Sequence, residues 1–501
     1  MAVLGIDLGT SATKALVVDA AGTVCAVGHG DHRPLVPRAG WSEQDPEDWW
    51  RSTLQAVAAA LAEARCDPGA IDAVGLAGQM HGLVALDAQG ECIRPAQLWN
   101  DGRCEPQCRA VEEHLGLAHL LACTGNRMLP GFTAPKLLWM REHEPEAFAR
   151  IATVLLPKDW IRFRLTGTMG TDVSDASGTA VFDCAQRRWS DALLADLQLP
   201  RSWWPEAVES AAVVGQVSAQ ASALIGLRPG TPVVAGAGDQ AAAALGCGLV
   251  QEGSAGAVLG TSGVVAAPMQ RWRSAEEGRL HAFCHAAPGT WFLMGVMLSG
   301  AGSLDWFRRS ITPDLRDDDA FEHIEAMAAG IAAGAEDLFF LPYLSGERTP
   351  HADASARGCF IGLDQRHDRR HLARAVLEGV THGLSDCFGL LREAGLDPRC
   401  VHLSGGGVRS ALWRQLCADL LGCPVALTAT VDATAYGAAL LAAVGAGAFA
   451  SVGDACEAWV TVAPPLVPGP EAECLQERHA VYKQLYPALK PVFAQLSSAQ
   501  P

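Results

Sequence analysis

The sequence predicts an α/β protein made of two duplicated domains that face one another across a deep cleft. Three observations carry this. Leu8-Gly9-Thr10-Ser11 recurs as Leu259-Gly260-Thr261-Ser262, each time after a short apolar strand and about half a chain apart, and self-similarity at so long a period marks duplicated units. A second pair follows in the same order: Val74-Gly-Leu-Ala-Gly78 and Val401-His-Leu-Ser-Gly405 are each a strand ending in a glycine turn, with helical periodicity beyond. Between the halves, Thr231 to Ala235 reads as a buried strand. It empties through Gly236-Ala237-Gly238 into a lone carboxylate, Asp239, and an alanine-rich helical run from Gln240.

A chain of 501 residues that is 49% hydrophobic can fill at least two cores. The boundary is expected just after Gly246, giving domains 1–246 and 247–501, with the C-terminal helices from about 465 free to pack back across. A net charge of -17 lacks the Lys/Arg footprint that nucleic acid or an anionic membrane surface requires, so small molecules are the expected partners. The N-terminus runs straight into a strand, with no leader pattern and no apolar run of ~18 residues. A cytoplasmic protein is expected, with a homodimer among the open oligomeric states. The 16 cysteines lie singly in apolar segments, as Cys25, Cys247 and Cys417 do, which reads as reduced thiols without disulfides.

In chain order, VLGIDLGT (3–10) is a strand interrupted by Asp7, followed by the turn Gly9-Thr10-Ser11 and a second strand over Lys14–Val18. Backbone N–H groups and hydroxyls of that turn can face phosphate oxygens while Asp7 holds Mg²⁺ through water. An ordinary hairpin with a polar turn looks the same in isolation; its repetition at Gly260 and Thr261 decides the matter. Two such hairpins would grip a polyphosphate between them, with Asp239 just ahead of the second, which is a phosphotransfer geometry.

Residues 46–65 read as a helix opened by Asp45 and Pro46, with Trp49, Trp50, Leu54, Val57 and Leu61 at helical spacing. After the strand ending at Gly78, Gln79-Met80-His81-Gly82 and Trp99-Asn100-Asp101-Gly102-Arg103 read as pocket loops. A lone His is more often a core residue, but the flanking Gly82 and the two-residue step from Gly78 favour the pocket for His81. Cys104 and Cys108 lack a second cysteine pair, so no zinc is expected. The turn-rich stretches 124–140 and 157–179 are expected to line the substrate side of the cleft, and His281, Phe283 and His285 to alternate on a strand at the domain interface. Asp305 lies in a helix opened by Gly300-Ala-Gly-Ser303. Ser404 to Ser410 follows a strand and starts a helix, where its glycines suit the adenosine end of a nucleotide. No G-x-x-x-x-G-K-[ST] loop and no strand-borne G-x-G-x-x-G occurs, which disfavours P-loop and dinucleotide readings. Past Pro464 the chain is polar and helical, with no site signal.

Over about residues 3–445 the chain resembles the sugar kinases of the FGGY class, within the actin-like ATPase superfold of ribonuclease H-like domains. LGIDLGTS, LGTSG, GAGD and SGGG are shared across that class. GWSEQDPEDWW, AGQMHG, WNDGR, PGFTAPKLLW, LLPKDW, SDASGT and LPYLSGERTPH are similar to its xylulokinase branch. The resemblance implies phosphorylation of D-xylulose to D-xylulose 5-phosphate by ATP with Mg²⁺. Asp239 would be the general base, Met80, His81 and Gln240 would contact the sugar, and Asp7 would organise the metal. Thr10, Ser11 and Lys14 would approach phosphates with Gly260 and Thr261, while Asp305, Gly405, Gly406 and Ser410 would serve the nucleotide.

With the ordinary pKa of about 3.9, Asp239 is expected to be ionised at neutral pH. Gln240 departs from the Asn common in xylulokinases and matches glycerol kinases, yet those carry Arg-Glu where this chain has Met80-His81. The alternatives are therefore a kinase for another pentulose or polyol, such as ribulose or a glycerol-like substrate, and, more remotely, a nucleotide switch of the actin or Hsp70 type. The switch is disfavoured because residues 450–501 are too few for a peptide-binding domain.

Overall fold

The computed structural model describes residues 1–315, 319–430 and 432–498. β1 (Ala2–Leu8) and β2 (Ala12–Asp19) form an antiparallel hairpin with Leu8 opposite Thr13, and β3 (Val24–Asp31) extends it. β1 is buried throughout beyond Ala2, which is why it is apolar on both faces apart from Asp7. α1 (Pro46–Ala64) begins where its capping residues dictate: the Asp45 side chain accepts the Glu47 N–H, and Pro46 takes the first helical position. It packs along β3 and β2.

β4 (Ile71–Gly78) then lies parallel to β1. α2 (Thr133–His143) and α3 (Pro157–Thr166) precede β5 (Val213–Gln216), β6 (Pro232–Val234), β7 (Ala237–Gly238) and α4 (Asp239–Gly246). Among the described residues this first sheet runs β5-β6-β4-β1-β2-β3, with β7 also pairing β4.

The second half repeats the wiring. β8 (Ser254–Leu259) and β9 (Gly263–Met269) form a hairpin, followed by β10 (His281–Cys284), β11 (Trp291–Met297), α5 (Gly302–Ser310) and the long α6 (Arg369–Glu393). β12 (Cys400–Ser404) lies parallel to β8 as β4 does to β1, and α7 (Ala411–Leu421), β13 (Val425–Leu427), α8 (Ala433–Gly445) and α9 (Ala472–Ser498) complete the chain. The sheet order is β10-β11-β9-β8-β12-β13. The duplicated α/β architecture read from the repeats is the architecture observed.

α8 does not stay with its own sheet. It lies flush on β1 and β4, where a methyl at Gly5 would stand 2.1 Å from Ala435 O and one at Gly75 1.9 Å from Ala438 O. Only glycine admits so close an approach. α4 packs on α8, while α9 packs on α7 and α6. At one end the two halves share a core and close the cleft: Asn126 donates to Ala282 O at 2.8 Å and accepts the Ala282 N–H at 3.0 Å, so its amide covers β10. His281, Phe283 and His285 are buried at this junction. Among the described residues all 16 cysteines are free thiols, and no helix is long and apolar enough to cross a membrane.

Candidate active site

Three parallel strands end side by side. Asp7 on β1 is in register with Ala77 on β4, and Ala77 with Ala237 on β7; one residue further on, Leu8, Gly78 and Gly238 align likewise. Strands that run together open at the same carboxyl end, so Asp7, the Gln79-Met80-His81 turn and Asp239 surround one mouth.

Asp239 is the first residue of α4, not its cap, which is Gly238. The backbone and side-chain donors of Gln240, the next residue of α4, act to lower its pKa. Burial outweighs those donors and pushes its pKa up to about 6. The ordinary pKa expected for Asp239 is therefore corrected upward, because the sequence does not show that the mouth is desolvated, while the acid stays mostly ionised at neutral pH. Gln240, expected to contact the sugar, is half-buried beside it.

Asp7 is pushed further, to about 8, first by burial and then by the like charges of Asp432 and Asp239, with Lys14 opposing. Its Oδ1 is buried and has no hydrogen-bond partner. Lys14, in register with Asp7 across the hairpin, is 2.6 Å from Asp432, the N-cap of α8. Sequence reading missed Asp432. Its signal is Asp432-Ala-Thr-Ala, an acid opening an alanine-rich helix as Asp239-Gln-Ala-Ala does. Among the described residues no group of three or more His, Cys, Asp or Glu side chains forms a ready metal cage. A magnesium ion that keeps waters and takes phosphate oxygens needs only one or two carboxylates, and the unpartnered, charge-crowded Asp7 fits that requirement.

The Gly9–Ser11 turn is held from outside. Gln44 donates to Thr10 O at 2.7 Å, Gln79 donates to Gln44 Oε1 at 2.9 Å, and Trp49 Nε1 donates to the same oxygen at 2.8 Å. Trp99 Nε1 reaches Thr10 Oγ1 at 3.0 Å, and Ser11 is exposed at the tip. Trp99 is thus the member of WNDGR that arrives at the site. Asp101 and Arg103 pair with each other behind it, at 2.6 Å, and tie down Ser42 and Glu43. Gln44 and Gln79 carried no sequence signal beyond standing in GWSEQD and AGQMHG.

His81 occupies the left-handed backbone region, with φ of 73°, a strained setting for a side-chain-bearing residue. Three hydrogen bonds hold it there: Thr133 Oγ1 and Lys136 Nζ donate to His81 O at 3.0 and 3.2 Å, and His81 Nδ1 lies 2.8 Å from Gly178 O. A carbonyl only accepts, so Nδ1 carries the proton. Burial lowers the imidazole pKa to about 3; the ring is neutral and Nε2 is an acceptor. His81 is therefore built to take a hydrogen bond from a hydroxyl, and cannot donate one to a ketose oxygen. Phe132 packs 4.8 Å from its ring, and Phe283 of the second half 6.1 Å. Met80 is buried against Gly238, where a methyl would stand 2.8 Å from Met80 Cγ.

Across the cleft, Gly300 N and Ala301 N bond to Thr261 O and Gly260 O at 2.9 and 2.7 Å, seating the start of α5 on the second hairpin turn. Gly260, Thr261, Asp305, Gly406 and Ser410 line one cavity of about 810 Å³. Five of the expected nucleotide residues, scattered over 150 positions, come together there. Asp305 is paired with Arg308 and Arg309 at 3.0 and 2.9 Å, and Ser410 caps α7 by accepting the Trp413 N–H at 3.0 Å. Gly405 is not part of the wall. It has φ of 92° and lies against Leu259, where a methyl would come within 2.7 Å of the backbone. Thr10, Ser11, Lys14 and Asp7 stand with the first turn.

Models of the FGGY family of carbohydrate kinases match the chain in two parts, the N-terminal domain over residues 2–246 and the C-terminal domain over 255–446. The chain is 40% identical over 491 residues to a protein named xylulose kinase from Bacillus subtilis (strain 168), covering 98% of this chain and 96% of that one. It is 41% identical over 495 residues to one from Escherichia coli (strain K12), covering 98% and 100%. The solved structure of a xylulose kinase from Rhodospirillum rubrum superimposes with a TM-score of 0.92 at 32% identity, covering 99% of this chain and 100% of that one. With both domain models matched in order and the mouth between two duplicated sheets, the chain belongs to the FGGY family of carbohydrate kinases.

Proposed function

We infer that this chain transfers the γ-phosphoryl group of ATP to the terminal hydroxyl of D-xylulose, giving D-xylulose 5-phosphate and ADP. The observation that carries the reading is the position of Asp239, at the aligned ends of β1, β4 and β7, beside the Gln79–His81 turn and close enough to Asp7 to raise its pKa. The near full-length likeness to proteins named xylulose kinase supports the choice of sugar. In this reading Asp239 takes the proton of the hydroxyl while that oxygen attacks the γ-phosphorus and ADP leaves with the bridging oxygen. His81 accepts a hydrogen bond from a sugar hydroxyl, and Met80 supplies an apolar wall.

Gly260, Thr261, Gly406 and Ser410 line the nucleotide cavity, with Asp305 at its side, and Thr10, Ser11 and Lys14 meet the phosphates from the opposite half. Asp7 would hold Mg²⁺, which when bound neutralises charge on the phosphate oxygens. The cytoplasm, where ATP is abundant, is the compartment this reading implies.

A panel of ketoses and polyols assayed for ADP release tests it. D-xylulose is expected to give the highest kcat/KM. A ribulose, gluconate or glycerol preference would replace the substrate while keeping the kinase.

A further inference from the structure

Two sequence motifs, LLPKDW and SDASGT, take no direct part in the chemistry above, yet they meet behind Asp239 in a fully buried charge cluster. Lys158 Nζ lies 2.7 Å from Asp159, 2.9 Å from Asp172 and 3.3 Å from Asp175, and Arg162 lies 3.1 Å from Asp159; none of these side chains is exposed. Two cations face three carboxyls. Burial raises the Asp175 pKa well above the usual range, against the pull of Lys158. Burying so many charges is a poor way to gain stability, which directs attention to what the cluster holds.

It holds the glycine turn. Asp172 Oδ2 accepts from Ser174 N at 2.8 Å, Ser174 Oγ at 2.5 Å and Ser210 Oγ at 2.9 Å. Ser174 Oγ in turn accepts the N–H of Gly238, the residue before Asp239, at 3.1 Å. Ser210 O accepts the Gly236 N–H at 2.9 Å, and Arg162 donates to Ala235 O at 2.6 Å. The four residues leading into Asp239 are therefore gripped at three points, all traceable to one ion cluster. Gly236 needs such a grip: its φ is 81°, and a methyl there would come within 2.2 Å of Leu76 O.

We propose that Ser174, oriented by Asp172 and the Lys158–Arg162 cluster, is a positioning residue that fixes the backbone carrying Asp239, so that LLPKDW and SDASGT act on phosphoryl transfer through the GAGD turn. The claim rests on the reading of Asp239 as the base. Its geometry gives a direction: the hydroxyl donates to Asp172, so its lone pair is presented to Gly238 N–H, and alanine at 174 leaves that N–H unpartnered beside the catalytic residue. A base displaced by a fraction of an ångström loses much of its rate advantage while distant nucleotide contacts are untouched.

A double-mutant cycle tests the proposal. Ser174→Ala is expected to lower kcat for D-xylulose by about tenfold or more with KM for ATP unchanged, and Ser174→Thr, which restores a hydroxyl, to recover within about threefold. In an Asp239→Asn background the same Ser174→Ala change is expected to cost less than about twofold, since the residue it positions is already disabled. An equal cost in both backgrounds, or wild-type kcat in Ser174→Ala, would overturn the positioning role while leaving Asp239 as base. Wild-type kcat in Asp239→Asn would instead overturn the base. Should Ser174→Ala not fold, Ser210→Ala, which removes the other hydroxyl on Asp172, is expected to show a smaller loss of about two- to fivefold. That loss too should vanish in the Asp239→Asn background; if it persists there at full size, the proposal falls.

Discussion

Lys14 Nζ lies 2.6 Å from Asp432 Oδ2, joining the first hairpin to the N-cap of a helix that arrives from the other end of the chain. Asp432 also adds to the burial that raises the pKa of Asp7, so one carboxylate caps a helix, anchors a strand and bears on the charge of its neighbour.

Asp432→Ala should separate these roles. Loss of an N-cap costs about 1 kcal/mol, and a pair whose lysine is 39% exposed adds little more. A fall in Tm of about 1–2 °C is expected. Asp432→Asn should keep most of the stability, since Asn caps equally well. Identical melting of the Ala variant and the wild type would show the cap to be idle.

Asp7 gives the ligand-free protein a pH dependence of stability. Its folded pKa of about 8 lies above the ordinary 3.8, so the folded state binds the proton more tightly. The stability this supplies is present below the unfolded value and is lost as pH rises towards and through 8. Asp7→Asn should flatten that slope in melting curves taken from pH 4 to 9, and should also lose magnesium-dependent turnover. An unchanged slope would mean that Asp7 is already ionised.

Asp239 must be unprotonated to act as a base. With its pKa pushed up to about 6, kcat/KM should fall below that pH by about tenfold per unit, and Asp239→Asn should lower kcat by ~10² to 10⁴ with ATP affinity nearly unchanged. A bound cation would move the limb to lower pH without abolishing it. A profile flat down to pH 4, together with substantial activity in the Asn variant, would remove Asp239 from the chemistry.

His81 makes the opposite pH prediction. Its pKa of about 3 keeps it neutral at every working pH, so KM for the sugar should show no transition near 6.5. His81→Ala should raise the KM for D-xylulose far more than that for ATP. Equal rises in both would mark a residue that only supports the fold.

Much of this was legible in the sequence because it depends on local order along the chain. The repeated LGTS and the paired VGLAG and VHLSG strands disclose duplication; Asp45-Pro46 starts a helix wherever it stands; and a strand emptying into Gly-Ala-Gly-Asp places a carboxylate at a sheet's edge. The sequence by itself thus determined the two-sheet architecture, the turns and the acid between them. Tertiary structure alone decided what surrounds those groups. Desolvation raises Asp239 to about 6 and Asp7 to about 8, and α8 brings Asp432 back across hundreds of residues to Lys14. The Gly178 carbonyl selects the tautomer of His81, and Lys158 is buried among three carboxyls. Burial, charge proximity and hydrogen-bond direction are sums over neighbours that the chain brings together only on folding, so no stretch of the sequence contains them.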